Sequence, residues 1–318
     1  MQTTVDLLPR ETDVLWRQTH DVTAIERRAR NVIARVQHAI RQLIVEAKWL
    51  SPVFRQALER RLDAVTIAFE SQPLRGNQSE PVLRRDTFEA NAVLLMRRHV
   101  ARILASIGHP LRSAGLVELT PIEVDADYRY DLNVIELPWG ILQSPILSGP
   151  SNVASDIGSL GTLIGHEYMH ALDPRVRYVG EPTRQTQWGR DLRHYRQRIA
   201  CVAGQLSIFR DADGARLDVA NDTDEAFADL GGLEAAYRAL PKTDRASTSR
   251  FFVAFAHTLV GIVDRSELAS MRQDDVHPPF RFRVDATVAD VQAFARLFHC
   301  AKSEPMMQSA RQRCSAWR

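Results

Sequence analysis

No stretch of this chain approaches the ~20 consecutive apolar residues that a membrane-spanning helix needs, so the sequence offers no candidate span among its 318 residues. Its opening, Met1-Gln2-Thr3-Thr4-Val5-Asp6, lacks the basic segment and apolar core of a secretory leader. Cysteine is scarce: Cys201, Cys300 and Cys314 are the only three, and none sits in a C-x-x-C spacing. Three cysteines and no leader argue against a disulfide framework, and free thiols in a reducing, cytoplasmic setting are the expectation. An excess of one charge is missing as well. Lys and Arg number 41 against 39 Asp and Glu, for a net charge of +2, which excludes the basic footprint of a nucleic-acid binder. Internal repeats and low-complexity segments are also lacking. Hydrophobic content of 45% and charged content of 25% are ordinary for a globular chain able to bury one large or two modest cores.

Against this plain background one motif stands out. His166-Glu167-Tyr168-Met169-His170 is an H-E-x-x-H sequence inside an apolar run. Residues four apart share a helix face, so two imidazoles can grip one metal ion while Glu167 lies beside it, placed to take a proton from water. Zinc wants a third protein ligand and an open fourth position. Glu225 and Asp229, again four apart, supply two carboxylates on one face about fifty residues on. One can bind metal while the other accepts a ligand histidine's second N–H. Asp173, seven residues after His166, is a second candidate for that accepting role. A solvated face is the usual fate of paired acids; the H-E-x-x-H tips the balance toward the metal. Asn221-Asp222-Thr223 reads as the start of this second helix, and Gly231-Gly232 as an interruption of its pattern.

The rest reads as mostly helix. Residues 16–49 carry Ile25, Ala29, Val32, Val36, Ile40 and Ile44 at three- and four-residue steps, with interleaved arginines that read as a solvated face. Residues 52–70 form an Ala/Arg/Leu-rich helix, residues 71–81 a loop and residues 86–106 another helix ended by Gly108-His109-Pro110. Residues 118–137 change to the β-rich texture of short strands. Residues 151–159 form a polar entrance to the metal helix. Residues 187–209, 246–263 and 288–298 are further helical patterns. His194, His257 and His299 read as packing residues.

Five blocks in order resemble the neprilysin family of zinc metallopeptidases. They are Asp125-Ala126-Asp127-Tyr128, the stretch from Asn133 ending in Gly140-Ile141-Leu142-Gln143, Ile164-Gly165 with the H-E-x-x-H and Asp173, Glu225 to Gly232, and His277-Pro278-Pro279-Phe280-Arg281-Phe282-Arg283. A closing Cys314-Ser315-Ala316-Trp317 follows. The resemblance implies one zinc ion per chain held by His166, His170 and Glu225, with Glu167 as general base. It implies that Asp173 and Asp229 orient the ligand histidines, that His277 stabilises the oxyanion and that Arg283 holds a substrate carbonyl. Asp125 and Ala126 would pair with an extended peptide. The implied fold is mainly α with a small β-sheet (α+β): a zincin-like catalytic domain over residues 113–318 behind a partial helical lobe over residues 1–112. The implied activity is hydrolysis of small peptides, with no nucleic-acid or membrane partner and an open oligomeric state.

Departures from the family are as informative. Asp125 stands where the family has Asn, and an ionised Asp only accepts hydrogen bonds, which points to substrate groups rich in donors. Gly261 lies where relatives commonly carry Cys. The family would pair Cys201 with Cys314 and leave Cys300 alone. A dedicated hydrolase for one peptide-like metabolite and a catalytically silent zinc-binding scaffold stand as alternatives.

Overall fold

The computed structural model describes residues 7–69, 82–109, 120–147, 149–176, 188–211, 214–241, 244–261, 275–301, 304 and 306–318. The loop expected at 71–81 and the boundary expected at 112/113 lie outside these residues. The chain is mainly helical with one small sheet, as expected. In order run α1 (Pro9–Thr19), α2 (Val22–Glu46), α3 (Pro52–Ala64), β1 (Thr66–Ala68), α4 (Phe88–Ser106), β2 (Asp127–Arg129) and β3 (Val134–Glu136). Then come α5 (Val153–Asp156), α6 (Thr162–Ala171), α7 (Gly189–Ile208), α8 (Val219–Ala239), α9 (Arg245–Thr258), α10 (Phe280–Asp290) and α11 (Gln292–Phe298). No helix among the described residues is long and apolar enough to cross a membrane.

Several boundaries move for identifiable reasons. The pattern over 16–49 is two helices, not one. His20 is extended (φ −130°, ψ 140°) and Asp21 caps α2 by accepting the Ala24 N–H. The helix expected over 52–70 stops at Ala64, because Thr66-Ile67-Ala68 forms β1, parallel to β3. β2 joins the other side of β3 antiparallel, giving the order β1-β3-β2. The polar entrance at 151–159 is α5, capped by the Asn152 side chain, running through a wide π-helical turn (Ile157–Gly161) into α6. The expected closing helix is two, parted at Val291, and α10 starts directly after Pro279.

Two corrections concern α8. It begins three residues earlier than expected, where the Asp218 carboxylate accepts the Ala220 and Asn221 N–H groups. Nor do Gly231-Gly232 interrupt it. They lie within the helix because α6 crosses there: a Cβ on Gly232 would sit 2.5 Å from the His166 backbone nitrogen, and one on Gly165 2.7 Å from the Gly232 carbonyl oxygen. The pair of glycines lets the two backbones touch. Around this crossing α2, α7 and α9 close a core with Ile40, Leu160, Ile164, Phe227, Leu233 and Phe251 fully buried. Residues of α2 and α3 share that core with α6 and α8.

Composition pointed to free thiols, but Cys201 and Cys314 are joined, as the family resemblance implied, closing a span of 113 residues, and Cys300 is free. Their Cα atoms lie 5.7 Å apart, within bridging reach.

The crossing makes a sharp prediction. Gly232→Ala should destabilise the fold by about 1–3 kcal/mol through overpacking. Gly204→Ala in α7, where an added Cβ meets nothing within 4 Å, should be neutral or stabilise by up to ~1 kcal/mol. Urea titrations of the two variants check the contrast; equal effects would mean that the helices are not held this tightly.

Candidate metal centre

The geometry of the crossing delivers the site. One turn before Gly232 on α8 is Asp229, and two turns before it is Glu225; both face the imidazoles of α6. His166 Nε2 lies 3.0 Å from Glu225 Oε2 and 3.0 Å from His170 Nε2, and His170 Nε2 lies 3.2 Å from the same Glu225 oxygen. His277, just before α10, brings its own Nε2 to 3.1 Å from Glu225 Oε2. Four candidate ligand atoms thus converge on one point, although the resemblance implies a different role for His277. Of the imidazoles, His170 lies close to both His166 and Glu225. The His277 ring is farther from His166, with centroids 6.0 Å apart against 4.8 Å for His170. His166, His170 and Glu225 therefore make the tighter triad.

The chemistry of these atoms fits a divalent cation. His166 Nδ1 lies 2.9 Å from Asp229 Oδ1, which fixes the ring and aims Nε2 at the Glu225 carboxylate. His277 Nδ1 likewise lies 2.8 Å from Asp275 Oδ1 with Nε2 beside Glu225; burial opposes charge on this ring, but its hydrogen bonds with Glu225 and Asp275 raise its pKa and suit it to donate. Ring nitrogens and a carboxylate oxygen at these distances need a proton or a metal cation between them. Burial opposes charge on His166, yet its hydrogen bonds with Asp229 and Glu225 outweigh burial and lift it to about 10. Burial likewise works against the Glu225 carboxylate, but the three imidazoles hold it well below the ordinary range. Two nitrogens and a carboxylate oxygen are a zinc donor set.

Surrounding groups set this triad in place. Asp229 is buried and takes two further bonds, from Arg283 Nε at 2.7 Å and Nη2 at 2.8 Å. It holds the His166 tautomer on one side and Arg283 on the other; Arg283 outweighs the burial penalty and keeps its carboxyl far down. Asp173 does not share this work. α6 ends at Ala171 and Leu172 caps it, so the chain has left the helix by Asp173 and the two-turn spacing no longer applies. Its carboxylate lies on Arg175, 2.5 Å from Nη2, and no hydrogen bond among the described residues joins it to His166 or His170. Its carbonyl instead accepts from Arg61 Nη1 at 2.5 Å, which ties the end of α6 to α3.

Glu167 is buried on the next step of α6, and loss of water pushes its carboxyl up to about 7 despite the pull of His166 and His170. It borders a cleft of about 750 Å³, along with His166, His277, Arg283, Asp125 and Ala126. Asp125 Oδ1 accepts the Ala126 N–H at 2.9 Å. β2, immediately after, is an edge strand packed beside α6. It carries a residue the sequence reading did not single out: Asp127 is exposed, with a carboxyl raised by partial burial, and its charge is felt at Glu167 and His170. Its place one residue from Ala126 in the strand motif was the available signal. A second cavity, of about 650 Å³ between Trp49, Tyr237 and Trp317, contains none of these residues.

Asp229→Asn should weaken zinc affinity by about 10–100-fold, since the amide keeps one acceptor but turns a donor toward Arg283. Asp173→Asn should leave affinity unchanged. Chelator-competition titrations of both variants decide; an effect at Asp173 and none at Asp229 would reverse their roles.

Comparison with known proteins agrees in sequence and in fold. The profile of Peptidase family M13 matches residues 125–314. Endothelin-converting enzyme 1 of Bos taurus is 25% identical over 311 residues, 91% of this chain and 41% of that protein. Membrane metallo-endopeptidase-like 1 of Homo sapiens is 30% identical over 211 residues, 61% of this chain and 27% of that protein. The Mycobacterium tuberculosis zinc metalloprotease Zmp1, solved with an inhibitor, superimposes with a TM-score of 0.79 at 24% identity, covering 92% of this chain and 47% of that one. The chain thus spans less than half the length of these relatives. With the matched profile running from the cleft strand through the H-E-x-x-H to Cys314, the chain belongs to peptidase family M13.

Proposed function

We propose that this chain is a zinc-dependent peptidase that hydrolyses small peptides, with His166, His170 and Glu225 as the metal ligands. The observation that carries the reading is the convergence of three ring nitrogens on the Glu225 carboxylate beside a buried, largely unpaired Glu167. When bound, zinc supplies a Lewis acid that acidifies water and polarises the scissile carbonyl. Glu167, whose carboxyl is pushed up toward neutrality by burial, accepts the proton of the attacking water at its side-chain oxygen. It then returns that proton to the leaving amine. His277 faces the cleft and stabilises charge as it develops on the carbonyl oxygen, an effect often worth on the order of 3 kcal/mol per donor. Arg283 spends Nε and Nη2 on Asp229, which leaves Nη1 for a substrate carbonyl. An extended substrate lies along Asp125-Ala126 and the outer edge of β2, read through its backbone as an added strand.

A narrower reading rests on the acids of that strand. Asp125 lines the cleft, and Asp127, two residues on, makes its charge felt at Glu167. In this reading the chain favours peptides or peptide-like metabolites with a basic side chain or free amine near the scissile bond.

Two experiments test these readings. Glu167→Gln should bind zinc normally and lose at least ~100-fold in turnover, and a chelator should abolish wild-type cleavage. Full activity in that variant would remove Glu167 as the base, and zinc binding without any cleavage would favour the silent scaffold. Asp125→Asn and Asp127→Asn should each reduce the preference for cationic over neutral peptides by about tenfold, about 1.4 kcal/mol. Cleavage of a peptide panel read by mass spectrometry measures this; unchanged relative rates in both variants would defeat the charge reading.

A further inference from the structure

One helix is mounted with its apolar side outward. At 3.6 residues per turn, Val93, Met96, Val100, Ile103, Leu104 and Ile107 of α4 and its C-cap fall on one face. That face is open to solvent: Val93 is 47% exposed, Met96 56%, Val100 52%, Leu104 61% and Ile107 72%. The half-buried positions are Ala92, at the edge of the stripe, and Asn91, Leu95, Arg98 and His99, on the opposite side. α4 buries none of its described side chains, whereas α2, α3, α6 and α8 each bury several. A helix of 19 residues is near the length at which helicity without packing is marginal. Such a stripe wants a partner.

We propose that the partner is a second copy of this chain, with α4 packed antiparallel on α4 about a two-fold axis through Val100. The stripe is its own complement. Val93, Met96, Val100, Leu104 and Ile107 are spaced 3, 4, 4 and 3 residues apart, which reads the same in both directions. An antiparallel pairing centred on Val100 sets Val93 against the partner's Ile107, Met96 against the partner's Leu104, and Val100 against the partner's Val100. A two-fold interface requires this self-complementarity. No charge interrupts the stripe; Arg97 borders it and lays its aliphatic stem beside the partner's Ile103. Arg97 is exposed on that edge, while Arg98 and His99 lie on the turn facing the body. The seam from Val93 to Ile107 is about 21 Å long, a small interface at the weak end of specific association.

Sedimentation velocity on the full chain tests the proposal. Monomer should prevail at about 1 µM and dimer should accumulate toward about 100 µM. Val100→Glu puts two carboxylates on the axis and should keep the protein monomeric at both concentrations, with far-UV circular dichroism and zinc binding unchanged. Val100→Cys, made with Cys300→Ser, should oxidise to a covalent dimer, while Val53→Cys in the same background, exposed on α3, should not; this readout stands even if Val100→Glu fails to fold. A wild type that is monomeric at ~100 µM would overturn the proposal, as would a dimer that survives Val100→Glu. A monomer that binds vesicles of equal phosphatidylcholine and phosphatidylglycerol through Val100 would instead assign the face to a membrane.

Discussion

Everything at the site depends on how closely α6 and α8 approach. The two backbones meet where neither carries a side chain, and the contact fixes both the separation and the register of the helices. With Gly232 against the His166 backbone, the carboxylates one and two turns earlier on α8 are set opposite the two imidazoles of α6. A wider crossing would leave the Glu225 oxygen out of reach of His166, and a slip of one residue would turn both acids away from them. Metal-ligand geometry tolerates little of either. The glycines are thus the mechanical origin of a donor set that looks, in sequence, like two separate motifs.

Around that crossing the fold works as a clamp. Arg61 from α3 holds the carbonyls of Asp173 and Val176 past the end of α6. The C-terminal segment holds α8: buried Glu234 accepts from the Ser315 hydroxyl and the Ala316 N–H, and Trp317 donates to the Gly231 carbonyl. Trp49 in turn donates to the Trp317 carbonyl, and the disulfide ties Cys314 to α7. Arg283 brings α10 in through Asp229, so the residue that orients His166 also positions the arginine facing the cleft. One buried carboxylate thereby couples the metal side of the site to the substrate side, and its charge is balanced from both directions.

What the sequence made legible follows from locality. His166 and His170, or Glu225 and Asp229, are bound by helical spacing alone, so their juxtaposition could be read without coordinates. Asp173 failed for the same reason, because its spacing counted only as long as the helix continued, and it stops at Ala171. Gly231-Gly232 looked like a break because glycine weakens helices; only the long-range fact of a crossing helix explains why it is there. β1 was hidden by a strong helical run ahead of it, since a three-residue strand has no period to detect and is held by its partner β3. The cysteine pair shows the limit of composition: three cysteines set an expectation of free thiols, while the fold brings two of them, 113 residues apart, into bridging distance.

The outward stripe of α4 and the inward crossing of α6 with α8 obey one rule from opposite sides. Apolar or backbone surface that the chain covers with itself becomes structure, and surface left bare asks for something else to cover it. At the crossing the cover is another backbone, so tight that no methyl fits. On α4 the chain turns its polar side inward and its apolar side out, the reverse of what would stabilise an isolated fold. The core beneath does not need α4: Val36, Ile40, Leu62 and Ile164 are fully buried without contribution from it. Its outward stripe therefore bears on association, whereas the chemistry resides where α6 and α8 meet.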